Sequence, residues 1–215
     1  MDPNFSEIQY DVTKKSKLKK FYDSNKILIF SIIILSIFSL GSVTFYFDSK
    51  EKKKITLSEN YIKSRIYVEN GEKSKARNIL KDIIFENDDT YSTLSLFLIL
   101  NQNLITDPNE LLSLFNHVLE NNKLENELKN LLIYKKALLQ SDFANEIELL
   151  KVIKPLINQE TLWKPHALIL IGDYFVAKKE YTKAKEFYLQ IFSLKNLHGE
   201  IYNETRSKLA LIAND

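Results

Sequence analysis

The sequence predicts an all-α protein: a single N-terminal transmembrane helix followed by an α-solenoid of helical hairpins. Three observations lead there. Residues 27–47, "ILIFSIIILSIFSLGSVTFYF", run uncharged for a membrane's width. From about 55 onward, apolar residues recur at helical spacing in one short segment after another. Four glycines and four prolines in 215 residues leave little for long loops or turn-rich β architecture.

The apolar run comes first. A helix of this length reaches about 30 Å, the thickness of the hydrocarbon layer. Phe45, Tyr46 and Phe47 cluster at one end, where aromatic rings favour the interface, and Lys26 and Lys50 bracket the whole. A cleaved signal peptide would have a shorter apolar core followed by small residues. Here "FYFDSKEKKK" follows, so the run reads as an uncleaved anchor. Lysines on the leading side, "KKSKLKK" and Lys26, favour a cytoplasmic N-terminus with the large domain across the membrane. The organisation expected is a basic N-terminal segment 1–26, a transmembrane helix 27–47 and a helical domain 48–215. Ser36, Ser39 and Ser42 form a weakly polar stripe, read as serines bonding their own helix backbone rather than a partner helix.

Charge and composition exclude several classes. The first 54 residues hold ten lysines against six acids, while the remainder holds 20 basic and 22 acidic residues. The basic excess therefore lies beside the apolar run, and a near-neutral domain argues against nucleic-acid binding. With no cysteine, disulfides, thiolate metal sites and thiol nucleophiles are ruled out.

Beyond the anchor, the periodicity predicts helices over 55–70, 73–86, 90–103, 108–121, 124–140, 143–158, 165–178, 181–194 and 199–213. Asp107 before Pro108, with Glu110 three positions on, reads as an N-cap, a first-turn proline and a capping-box partner. Asp89 or Thr90 suits the cap of the third helix, Pro165 the opening of the seventh, and Gly71 a turn between the first two. Pro155 is expected to kink or end the sixth.

Aligning Ala76 with Ala184 exposes a repeat. Tyr67, Gly71, Ala76, Leu80 and Ile83 form one series, and Gly172, Phe175, Ala184, Tyr188 and Ile191 the other, with Leu168 and Ile171 preceding. This is the tetratricopeptide pattern, in which small residues sit where two antiparallel helices cross and larger ones fill the neighbouring holes. Ser64 stands where glycine is usual, and 90–160 reads only as helix pairs. Gly71, Ala76, Gly172, Ala184 and Tyr188 are thus assigned to packing within TPR-like hairpins, not to chemistry.

An anchor followed by such repeats resembles the single-span, YfgM-like tetratricopeptide proteins, ancillary subunits of the bacterial Sec translocon. The resemblance covers about 20–213. It rests on "NGEKSKARNILKDII", "STLSLFLILNQNLI", "LWKPHALILIGDYFVAKKEYTKAKEFYLQIF" and "ETRSKLALI". Trp163 before the final repeat, then a basic residue and "A-L-x-L-x-G-D", is similar to the alphaproteobacterial branch. The resemblance implies an inner-membrane helix, a periplasmic repeat domain, and association with the SecYEG channel and a membrane-anchored chaperone of the peptidyl-prolyl isomerase type.

No catalytic constellation is legible. His117, His166 and His198 lack metal-ligand spacing, and "ENDD" at 86–89 lacks the glycine and distal glutamate of an EF-hand. Nucleotide-binding and nucleophile-elbow motifs are missing. No enzyme activity, cofactor or metal is expected. Binding remains, and repeat spacing directs Tyr61, Arg65 and Val68 of the first unit, and His166, Ile169, Asp173 and Val176 of the last, toward a concave groove for a partner segment. Two functions are carried forward: an accessory of protein export, or a scaffold for another envelope assembly such as division or cytochrome maturation.

Overall fold

From 48 to 69 the chain holds neither glycine nor proline, so nothing there stops a helix once it has begun. The computed structural model, which describes residues 17–213, accordingly carries one helix, α1 (Lys17–Glu69), through the apolar run and beyond it. The separate spans expected at 27–47 and 55–70 are therefore joined. Lys52 reaches Asp48 at 2.8 Å and the Thr56 hydroxyl donates to the Lys52 carbonyl at 3.1 Å, bridging the interval. Positions 1–16 of the expected N-terminal segment, and 214 and 215 of the expected domain, lie outside the described residues.

The chain falls into two compact units, the first ending at Thr56 and the second beginning at Leu57. In the first, nearly all the apolar side chains of α1 are exposed, with Ile29 half-buried. Among the described residues α1 is the one helix long and apolar enough to cross a membrane. Ser42 donates to the Phe38 carbonyl at 2.8 Å and Ser31 to that of Ile27 at 2.9 Å, which satisfies these hydroxyls within their own helix.

Among the described residues the second unit takes the end of α1 and eight further helices: α2 (Lys73–Phe85), α3 (Tyr91–Asn101), α4 (Pro108–Asn121), α5 (Asn126–Gln140), α6 (Glu146–Ile157), α7 (Lys164–Ala177), α8 (Tyr181–Ile191) and α9 (Gly199–Ile212). There is no strand among the described residues. Successive helices pack on one another from α2 to α9, and α2 also meets α4, α5 meets α7, and α7 meets α9.

Local chemistry sets the boundaries. Asp107 accepts from the Asn109 amide at 3.0 Å with Pro108 opening α4. Its expected capping-box partner is engaged elsewhere, since Glu110 pairs with Lys81 of α2 at 2.6 Å. A full capping box starts α6 instead, on Asn145 and Glu148. The start of α3 is held by Asp88, whose Oδ1 accepts from the amides of Thr90 and Tyr91, rather than by Asp89 or Thr90. The side chain of Asp89 accepts from the Lys123 amide at 2.6 Å, tying this corner to the α4–α5 connection. Pro155 falls in the last turn of α6, which ends two residues later.

Two hairpin turns at aligned positions use one device. Gly71 ends α1 at φ +77°, with the next amide bonding the Tyr67 carbonyl at 2.8 Å. Lys179 ends α7 at φ +60°, with the Glu180 amide on the Phe175 carbonyl at 2.9 Å. Both are left-handed helix stops, one built with glycine and one without.

Burial then follows the repeat. Ala76 and Ala184 are fully buried. Where the last hairpin has Gly172 and Tyr188, the first has Ser64 and Leu80, all buried, so a larger residue at one position accompanies a smaller one at the other. The interior forms two clusters. One gathers Leu57, Leu80, Leu96, Phe115 and their neighbours as far as Leu132; the other begins at Ala137 and includes Leu149, Leu168, Phe175 and Tyr188. The handover takes place inside α5.

Candidate protein-binding surface

The chemically richest face of the second unit is made by α5, α7 and α9. Trp163, immediately before α7, stacks on Tyr134 of α5 with ring centroids 5.4 Å apart, and His166 lies 5.6 Å from the indole and 6.0 Å from the phenol. Burial raises the Tyr134 hydroxyl pKa above its ordinary range, helped by the negative charges of Glu204 and Asp173.

Two turns along α7, Asp173 joins three helices. Its Oδ1 accepts the Tyr188 hydroxyl of α8 at 2.5 Å, and both its oxygens accept Lys208 of α9 at 2.9 Å. Tyr188 is driven to a higher pKa by burial first and by its bond to Asp173 second. Beneath this network Gly172 lies against the tyrosine ring. A methyl group added there would fall 2.7 Å from Cδ1 and 2.9 Å from Cζ.

Two clefts lie beside helix starts in this unit. One of about 570 Å³ lies at the starts of α7 and α9, with Leu162, His166, Leu197 and Ile201 giving it an apolar wall beside Glu160 and Lys195. Another, of about 310 Å³, lies at the starts of α3 and α5 and includes Leu94, Phe97 and Leu128. Leu162 is 76% exposed at the rim of the first.

The residues singled out from the sequence divide between two places. On α1, Tyr61 lies against the first cluster with its ring 6.2 Å from Tyr91, Val68 is half-buried on that cluster, and Arg65 is exposed. On α7, His166 belongs to the aromatic trio and the larger cleft, and Asp173 to the ion pair. Val176 is half-buried, and Ile169, at 8% exposure, is part of the second core cluster. Tyr134 and Lys208 were not legible as site residues. Their partners stand far off in sequence, and the only local hint is Trp163, the chain's one tryptophan, at a helix start.

Among the described residues no group of three or more His, Asp or Glu side chains is placed to hold a metal ion. Comparison with protein-family models, curated proteins and solved structures returned no match. The described residues form an all-helical structure in which one helix is long and apolar enough to span a membrane.

Proposed function

We propose that this chain is a single-pass, membrane-anchored adaptor whose TPR-like helical hairpins bind protein segments without catalysing a reaction. The N-terminus faces the cytoplasm and the hairpin domain the periplasm of a bacterial cell. The observation that carries the reading is the recurrence of one hairpin design, with Gly71 and Lys179 at matching left-handed stops and Ala76 and Ala184 at matching buried crossings. Repeats of this kind stack into surfaces suited to extended or helical ligands. The two clefts beside α3–α5 and α7–α9 supply partly apolar pockets, and the aromatic trio supplies rigid contact area.

Within that reading, the protein assists newly exported chains at the Sec translocon, beside SecYEG and a membrane-anchored peptidyl-prolyl isomerase-type chaperone. Support comes from the resemblance of the anchor, the repeat order and the Trp163 segment. Photo-crosslinkers placed at Leu35 and Leu40, and at Leu162 beside the larger cleft, test it in native membranes. Channel subunits are expected as adducts of the first two and exported chains or the chaperone as adducts of the third. Adducts with division or cytochrome-maturation components alone would replace the export reading with the scaffold one. Proteolysis of the hairpin domain only after inner-membrane lysis would overturn its placement.

A further inference from the structure

α9 is held more lightly than α7 and α8, the two helices it packs on. Its one fully buried side chain is Thr205, against eight buried residues in α7. The Thr205 hydroxyl donates back to the Ile201 carbonyl at 2.8 Å, so it makes no bond across the interface. Ile201, Leu209 and Ile212 are only half-buried against the second cluster. Tyr202 meets Phe192 edge-on at 5.0 Å.

The helix nevertheless runs the length of the last hairpin. Ile201 shares the larger cleft with Pro165 and Leu194 at one end, and Ile212 lies beside Lys179 and Tyr181 at the other. Between them Lys208 sits on Asp173, the polar centre of this interface. The hairpin surface is thus written in α9's own pattern: apolar or small residues at Ile201, Thr205, Leu209 and Ile212, with one cation one turn from the last of them.

We propose that α9 is a displaceable cap, and that the face of α7 and α8 beneath it receives an amphipathic helix of a partner protein bearing a basic residue for Asp173. Charge complementarity sets that chemistry. Once Lys208 leaves, the Asp173 carboxylate stands between the Tyr188 hydroxyl and an empty apolar trough, and a helix without a cation would leave it unpaired. The same lightness of packing that lets α9 dock lets it leave, since elements with few buried contacts open well below the global unfolding threshold. Binding then competes with α9, so the cap sets how much surface is on offer. The inference rests on the α7–α8–α9 contacts and stands apart from the export reading.

The test uses the full chain in detergent micelles. Hydrogen exchange on the unmodified protein is expected to show α9 amides exchanging at least tenfold faster than those of α7. A labelled peptide with the sequence of residues 199–212 is expected to bind the Lys208→Glu chain about fivefold more tightly than the unmodified chain. The same peptide carrying Lys208→Glu is expected to lose that binding, and Asp173→Asn in the chain to erase the difference between the two peptides. Exchange of α9 together with α7 and α8 in one cooperative step would overturn the proposal. Equal affinity of both peptides for the Lys208→Glu chain, or binding of neither, would do the same.

Discussion

Gly172 of α7 and the ring of Tyr188 of α8 occupy adjoining space with no room for a methyl group between them. The buried ring cannot swing aside, because its hydroxyl is fixed on Asp173 and Tyr188 is only 1% exposed. Glycine within a helix costs about 1 kcal/mol relative to alanine, so its place here is set by packing.

Gly172→Ala is therefore expected to destabilise the domain despite its better helix propensity. Overpacking a filled site costs about 1–3 kcal/mol, which against the propensity gain of about 1 kcal/mol leaves a net loss of up to about 2 kcal/mol. Urea unfolding followed by circular dichroism measures it. The first hairpin suggests a rescue: Gly172→Ser combined with Tyr188→Leu, after Ser64 and Leu80, should be more stable than Gly172→Ser alone.

Lys179 adopts a left-handed conformation that favours glycine, and its aligned counterpart is Gly71. Lys179→Gly is expected to stabilise the α7–α8 turn by up to about 1 kcal/mol. Gly71→Lys should cost a similar amount. Thermal melts of the two variants, moving in opposite directions, are the check.

Tyr188 gives the domain an alkaline limit. Its pKa is raised in the folded state, so the contribution is fully present below the ordinary tyrosine value of about 10 and is lost as pH climbs above it. Stability measured across that window should fall less steeply in Tyr188→Phe than in the unmodified chain. Tyrosinate absorbance should show Tyr188 ionising together with unfolding, after the exposed tyrosines.

The Asp173–Lys208 pair is partly open to water, with side chains 42% and 27% exposed. Solvent screening limits the coupling in a double-mutant cycle of Asp173→Asn and Lys208→Met to about 1 kcal/mol or less. High salt should shrink it. The pair's value lies more in directing where α9 sits than in strength.

Ser95 in the interior of α3 is fully buried, and its hydroxyl finds no hydrogen-bond partner among the described residues. Ser95→Ala is expected to be neutral or to stabilise the fold by about 1 kcal/mol. Ser92→Ala, one turn earlier, should destabilise by a comparable amount, because that hydroxyl bonds the Ile83 and Ile84 carbonyls at the end of α2. Denaturant midpoints of the pair separate the two serines.

Helix positions were largely legible, because their punctuation is local. Asp107 with Pro108 marks the start of α4, and Gly71 marks the end of α1. The helix-to-helix fit at Gly172, Ala184 and Tyr188 could be read too, since small and large residues alternate at fixed spacing. Other features had no local signature. Lysine at the left-handed stop of α7 looks like any surface lysine, and Asp88, Asp89 and Thr90 are chemically near-equal candidates for one cap. The repeat spacing directs Asp173 toward a groove, and the structure sets it against a cation 35 positions on. The repeat spacing directs Ile169 toward the groove, while the structure buries it because α7 is covered on several sides at once.

The passage of the interior from one cluster to the other between Leu132 and Ala137 has a mechanical meaning. Among the described residues a load applied to the C-terminal end meets no shear-resistant sheet, only helices stripped off one after another, each packed chiefly on its immediate neighbours. Pulled in an optical trap, such a molecule should lengthen through several small, low-force yields instead of a single rupture. Its far end would keep its form while the near end has already come apart.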